Sequence, residues 1–344
     1  MNKLGYRFSF GPWNIHEGAD PFGPEVRPTV DFDRKLDLYK QMDFDAVQFH
    51  DDDAVPGLND LTPAQIERAA RELKQKLDDR GLAAEFVAPR LWFDPRTVDG
   101  GYTSNDPADR QYAIERSLKA IEIATVLGAD LIVLWLAREG TYIRESKDPV
   151  RSTEYLLDAI NRMLAFDKDI RIAIEPKPNE PTDQAYIPTI GHGLALASRT
   201  SDPARVGVLV ETAHAILAGL DPSDEMGFAL AFGKLFSVHL NDQNGLKFDE
   251  DKSFGSANLR RAFDQVMVLD DHRYFEKGMV GLDVKVMRTQ KAEGAHKHLQ
   301  NSMQTFLRLV ERVRNLDRGC VKQLVASRDY EELDAFILNH LLGR

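Results

Sequence analysis

Short apolar or β-branched runs recur along the chain, at residues 6–10, 46–49, 84–87, 131–135, 171–174, 206–210, 236–239 and 279–282. Most of the intervals between them carry a helical period. Ile66, Ala69, Ala70, Leu73 and Leu77 fall at i, i+3, i+4, i+7 and i+11, which predicts a single apolar stripe on one helix face. Thr62 precedes Pro63 and has Gln65 three residues on, the arrangement of a capped helix start. Gly81 suits a left-handed stop at the other end. Ile114, Leu118, Ile121 and Ala124 repeat the pattern, as do Met303, Phe306, Leu307, Val310 and Val313.

Eight strands separated by crossovers predict a parallel sheet buried on both faces. Eight is also the number that closes a (β/α)8 TIM barrel, whose chemistry gathers at the C-terminal strand ends. The competing doubly wound sheet usually shows a glycine-rich phosphate loop after its first strand, and Phe10-Gly11-Pro12-Trp13 is not one. The expectation is an α/β fold: a (β/α)8 barrel over residues 1–316 and a C-terminal helical arm over 317–344. The arm carries Leu333, Phe336, Ile337, Leu338, Leu341 and Leu342, too much apolar surface for a free tail. It is expected to wrap the barrel or to pack on another subunit.

Charge narrows the function classes. Among 344 residues, 44 Lys and Arg face 55 Asp and Glu, a net charge of −11 with no basic run. Nucleic acid and anionic membrane surfaces are thereby disfavoured, because phosphate neutralisation needs a positive stripe. The single cysteine, Cys320, excludes an internal disulfide framework and a cysteine-rich zinc module. No apolar run approaches the roughly 18 residues of a membrane span. The start, MNKLGYRFSFG, enters strand-like alternation without a signal-peptide core. A cytoplasmic protein is expected.

The chemistry lies in where acids and imidazoles fall. Glu175 ends RIAIE, Glu211 ends VGVLVE, His239 ends LFSVH and Asp283 follows MVGL, so four consecutive strands finish in an oxygen or nitrogen ligand. One acidic residue after a strand is commonly a helix cap. Four converging in a barrel mouth would repel one another without a cation. His214, three residues after Glu211, and the pair Asp249 and Asp251 offer a second site with Glu211 as bridge, although the pair alone would read as a solvated acidic turn. Two cations can clamp neighbouring oxygens of one substrate, and mostly carboxylate ligands favour Mg²⁺, Mn²⁺ or Co²⁺. His50 with Asp53 offers an imidazole whose tautomer a carboxylate can fix. Three prolines in Glu175-Pro-Lys177-Pro-Asn-Glu180-Pro stiffen the loop that presents Lys177. Trp13 and Trp135 at strand ends could wall a dry cleft or be plain core aromatics.

These residues resemble xylose isomerase, the metal-dependent aldose–ketose isomerase built on a (β/α)8 barrel. The resemblance covers nearly the whole chain. Its landmarks are FSFGPWNIHEGADPFG, FHDDDAVP, Trp135-x-x-Arg-Glu-Gly, IEPKPNEP, ETAHAILAG, the FDED loop and GLDVKVMRTQ, with Leu338-Asn-His-Leu-Leu-Gly similar to that family's C-terminal arm. The resemblance implies that His50, held by Asp53, assists opening of the cyclic sugar. It implies a structural cation on Glu175, Glu211, His239 and Asp283, gripping substrate hydroxyls. A catalytic cation would sit on Glu211, His214, Asp249 and Asp251 and polarise the carbonyl during a hydride shift between C2 and C1. Lys177 would hydrogen-bond the C1 oxygen. Trp13, Trp92 and Trp135 would line an apolar cleft, with Phe22 contributed by a neighbouring subunit of a homodimer or homotetramer. No nicotinamide is required.

Two departures bear on specificity. His239 stands where xylose enzymes usually have Asp; rhamnose isomerases and tagatose-type epimerases carry His there, and nitrogen ligation should favour Mn²⁺ or Co²⁺ over Mg²⁺. Leu209 stands where they usually have Asn, and Ala88-Pro89-Arg90 is unlike their equivalent stretch. The leading expectation is isomerisation of a free aldose, a D-xylose-type pentose first and D-glucose or L-rhamnose-like sugars next. The alternative is a metal-dependent ketose 3-epimerase, which uses two facing glutamates at the fifth and eighth strand ends, where this chain has Glu175 and the shorter Asp283. A phosphodiesterase on the same barrel fits the acidic charge poorly, and a non-catalytic sugar-binding protein would be expected to have lost His50, Asp53 or Lys177.

Overall fold

In the computed structural model, which describes residues 2–20 and 22–343, eight parallel strands close into a barrel. They are β1 (Phe8–Phe10), β2 (Ala46–His50), β3 (Ala83–Ala88), β4 (Leu131–Trp135), β5 (Arg171–Glu175), β6 (Val206–Glu211), β7 (Leu235–Leu240) and β8 (Val280–Leu282). Each strand pairs with its sequence neighbour, and β8 returns to β1. The expected TIM barrel is therefore the fold. Helices α1 (Phe32–Gln41), α2 (Pro63–Arg80), α3 (Pro107–Leu127), α4 (Pro149–Phe166), α5 (Ile190–Ser198), α6 (Pro222–Ala231), α7 (Leu259–Asp271) and α8 (Lys297–Arg314) follow the successive strands, α1 lying between β1 and β2.

Local chemistry explains where the helices begin. Thr62 accepts from the Gln65 N–H, and Gln65 Oε1 accepts from the Thr62 N–H at 2.9 Å, the reciprocal box its sequence predicts. Asp106, Asp148 and Asp221 cap α3, α4 and α6 by accepting from first-turn N–H groups, each followed by a proline whose missing N–H costs nothing at the first helical position. Helix α2 stops at Gly81, whose φ of 62° a side chain would resist.

Two apolar cores hold the barrel. The larger lies between strands and helices, where Phe8 and Tyr6 meet Phe306 edge-on at 5.6 and 4.8 Å. The smaller fills the lumen with Phe86, Ala88, Leu131, Val133, Ala173 and Leu209. Leu209, the apolar departure in β6, is fully buried there. Polar groups share the lumen: Glu85 accepts from Gln48 at 3.0 Å and from Ser237 at 2.9 Å.

The C-terminal segment forms α9 (Arg318–Ser327) and α10 (Tyr330–Leu342). Ile337 is buried, and Leu333, Phe336 and Leu341 pack against the larger core. His340 Nε2 meets the Arg312 carbonyl at 2.8 Å, and Arg318 donates to Asp271 at 2.6 Å. The arm thus wraps its own barrel with one face, while Leu338 and Leu342 on the other stay exposed. No helix among the described residues is long and apolar enough to cross a membrane.

Candidate active site

Strand register brings the polar strand ends to one level. Trp135 on β4 lies opposite Glu175 on β5, Glu211 on β6 opposite His239 on β7, and His239 opposite Gly281 on β8, two residues before Asp283. Glu175, Glu211, His214, His239 and Asp251 are all buried. Glu211 occupies the position that caps the short helix Thr212–Leu217, yet its carboxylate makes no capping bond. The structural explanation of that carboxylate therefore fails. Asp251, 3% exposed, is not part of a solvated turn either.

The ligand-type atoms form three overlapping groups, each within 4.8 Å: Glu175, Glu211 and His214; Glu211, His239 and Asp283; Glu211, Asp249 and Asp251. Glu211 belongs to all three. His239 Nδ1 lies 3.4 Å from Glu175 Oε1, 3.6 Å from Glu211 Oε2 and 3.7 Å from Asp283 Oδ2, beyond the range of a good hydrogen bond. Both nitrogens of His239, Nδ1 of His214 and Oδ1 of Asp249 are buried without a hydrogen-bond partner. Buried polar atoms are nearly always satisfied, so orphans gathered around one carboxylate fit a site that receives a cation. Burial, with neighbouring carboxylates adding to it, pushes the Glu211 carboxyl up to about 7 and that of Asp251 well above the usual range. A cation would restore their charge.

The two halves of the cluster are not equally open. Asp283 is held by Trp13 Nε1 at 2.9 Å and Asn14 Nδ2 at 3.1 Å, and among the described residues no lysine or arginine pairs with Glu175 or Asp283. Trp13 reaches Asp283 because Gly11 has no Cβ, which would otherwise stand 2.1 Å from the indole. On the other side Lys177 Nζ donates to Asp249 at 2.9 Å and lies 3.2 Å from Glu180, while Lys285 pairs with Asp251. Asn241 Nδ2 bridges Glu211 Oε1 at 3.0 Å and Asp251 Oδ1 at 2.9 Å. These carboxylates hold the Lys177 and Lys285 ammonium groups above the usual lysine range, although burial works against it.

Beside the cluster, His50 Nδ1 lies 2.8 Å from Asp53 Oδ2. Rings run from there towards Lys177: Trp13 is 4.2 Å from His50, Trp92 5.0 Å from His50 and 4.4 Å from Trp135, and Lys177 Nζ sits 5.2 Å over the Trp135 ring. The three tryptophans stand beside the polar cluster rather than in the remote core. Phe22 is 87% exposed and makes no ring contact with them. The reading of the sequence missed Asn241, Lys285 and the anchoring of Asp283 by Asn14. Asn241 had a signal, since Ser237, His239 and Asn241 continue a period of two out of an otherwise apolar strand.

Loops around the mouth are tied down by buried polar groups. Glu139 accepts from the backbone N–H groups of Gly101, Tyr102 and Thr103 at 2.9, 3.0 and 2.8 Å. A two-residue antiparallel ribbon, Gly140–Thr141 with Gln184–Ala185, joins the loops after β4 and β5.

Fold and cluster together give a closed eight-stranded barrel that carries, at its C-terminal strand ends, a donor set that could hold divalent cations. The chain belongs to the xylose isomerase-like TIM barrel family, whose model matches residues 36–294. It is 35% identical over 331 residues to the xylose isomerase of Thermus thermophilus, covering 94% of this chain and 84% of that protein. The xylose isomerase of Thermus caldophilus is also 35% identical, over 336 residues, 96% of this chain and 86% of the relative. Among solved structures, a D-tagatose 3-epimerase-like protein superposes with a TM-score of 0.64 at 16% identity, covering 89% of this chain and 98% of the other.

Proposed function

We propose that the protein is a metal-dependent aldose–ketose isomerase that converts a free aldose, a D-xylose-type pentose before hexoses such as D-glucose or L-rhamnose-like sugars, by a hydride shift. The observation that carries this reading is the row of rings leading from His50 past Trp92 and Trp135 to Lys177. A hydride moving from C2 to C1 needs no base at carbon, only transfer of the C2-hydroxyl proton to the C1 oxygen, but it does need water kept away, and indole faces supply that wall.

In this reading Glu175, Glu211, His239 and Asp283 hold one cation, and Glu211, His214, Asp249 and Asp251 hold the other. Bound there, Mg²⁺, Mn²⁺ or Co²⁺ would grip substrate hydroxyl oxygens and polarise the carbonyl. His50 hydrogen-bonds the cyclic sugar and assists its opening, with Asp53 fixing the ring. Lys177 donates to the C1 oxygen once it is released from Asp249, its present partner. Trp13, Trp92 and Trp135 line the carbon chain of the sugar.

A ketose 3-epimerase remains the second reading, favoured by one feature: Glu175 and Asp283 approach the same atom, His239 Nδ1, from the fifth and eighth strand ends. An aldose deuterated at C2, incubated with each cation and with chelator as control, separates the two. Isomerase action by hydride shift leaves the label at C1 of the ketose. Loss of deuterium to solvent, or ketose epimerisation with no aldose consumed, overturns the proposal.

A further inference from the structure

Arg90 follows β3 and has no part in the roles proposed above. Its backbone N–H donates to Asp51 Oδ1 at 3.1 Å, and Asp51 is itself clasped by the buried Arg116, with Nε at 2.7 Å and Nη2 at 2.8 Å. The chain at Arg90 is thereby tied, through a carboxylate, to helix α3. From that anchor the guanidinium reaches back over the turn after β2. Its Nη2 donates to Asp53 Oδ1 at 3.0 Å, its Nε lies 3.1 Å from Asp52 Oδ1, and Nη2 also stands 2.6 Å from Nδ1 of His50. Asp53 Oδ2 lies 2.8 Å from the same Nδ1.

One imidazole nitrogen cannot satisfy both neighbours. Carrying a proton, Nδ1 donates to Asp53 and meets a guanidinium N–H head-on. Bare, it accepts from Arg90 and faces the lone pairs of Asp53. A guanidinium does not give up its proton, so the first arrangement sets two donors together at 2.6 Å. Asp53 is less constrained in the second, because Arg90 already donates to Oδ1 and the His50 backbone N–H lies 3.4 Å from Oδ2. Trp13 and Trp92 beside the ring limit its freedom to swing away.

We propose that Arg90 is a positioning residue that holds His50 as the neutral tautomer protonated on Nε2, so that the ring offers a sugar oxygen an N–H rather than a lone pair. The consequence for a sugar rests on the isomerase reading; the tautomer itself does not. Asp53, in this arrangement, orients Arg90 as much as it orients His50.

Histidine-labelled protein saturated with Mg²⁺, followed by nitrogen–proton correlation NMR, tests this. A His50→Gln variant identifies the His50 signals. The wild type is expected to carry its His50 proton on Nε2, Arg90→Met to move it to Nδ1, and Arg90→Lys, which keeps a charged donor, to retain the wild-type pattern. Should Arg90→Met fail to fold, Asp53→Asn serves: its removal of the competing carboxylate leaves the proton on Nε2. A wild-type ring protonated on Nδ1, an unchanged ring in Arg90→Met, or loss of the Nε2 proton in Asp53→Asn overturns the inference. An Arg90-dependent tautomer in a protein that converts no aldose would instead sink the isomerase reading and leave this one standing.

Discussion

Asp53 shows how the mouth sets its charges residue by residue. Burial pushes the carboxyl up, but the Arg90 guanidinium and the His50 backbone N–H beside it hold it below the ordinary carboxylate range. Because the folded-state value lies below the unfolded one, its stabilisation is present above about pH 4 and is lost as pH falls towards about 2. Asp53→Asn is therefore expected to lower stability at pH 7 by on the order of 2 kcal/mol, with the gap to wild type narrowing below about pH 4. Urea titrations at a series of pH values read this directly; a gap that is absent at pH 7, or that widens in acid, contradicts it. His50 and Asp53 were legible in the sequence because they lie three positions apart at a strand end. Arg90 was legible only as an unusual stretch, since its contact with His50 spans 40 positions and no period links them.

At the scale of elements, carboxylates staple the loops that the strands leave behind. Asp51, at the end of β2, is fully buried and accepts a two-pronged clasp from Arg116 of α3 while holding the backbone of the loop after β3. Replacing one partner strands the other charge in the interior. Asp51→Asn should cost about 3–5 kcal/mol, seen as a lower urea midpoint at unchanged slope, and a loss below about 1 kcal/mol would refute the staple. Strands and capped helices were readable here because each carries its own period and its own start signal. The first strand was read two residues too long, from Tyr6: the Tyr6 N–H turns back to the Lys3 carbonyl and Gly5 takes a φ of 95°, so pairing starts only at Phe8. The ribbon between residues 140–141 and 184–185 could not be read, because two residues make no period.

For the whole molecule, closure of the barrel turned separate strand-end residues into one cluster, and that step was available from the count of eight strands. Distances within the cluster were not. That Lys177 and Lys285 occupy Asp249 and Asp251, while among the described residues no lysine pairs with Glu175 or Asp283, depends on how loops after β5, β7 and β8 fold over the mouth. Loops after β1, β3 and β4 also leave Phe22, Phe93 and Ile143 exposed by 87%, 78% and 68%. Exposed apolar side chains near a mouth suit a subunit interface. We extend the proposal to a homodimer or homotetramer in which Phe22 meets the partner and residues 317–344 add contacts. Sedimentation should show an assembly that Phe22→Asp weakens; a wild-type monomer at micromolar concentration rules it out.

The most direct test of the account is anomalous diffraction from crystals grown with Mn²⁺. The account predicts two manganese peaks per chain, both contacting Glu211, one bounded by Glu175, His239 and Asp283 and the other by His214, Asp249 and Asp251. A map with no peak in the mouth, or with manganese bound away from Glu211, would contradict it.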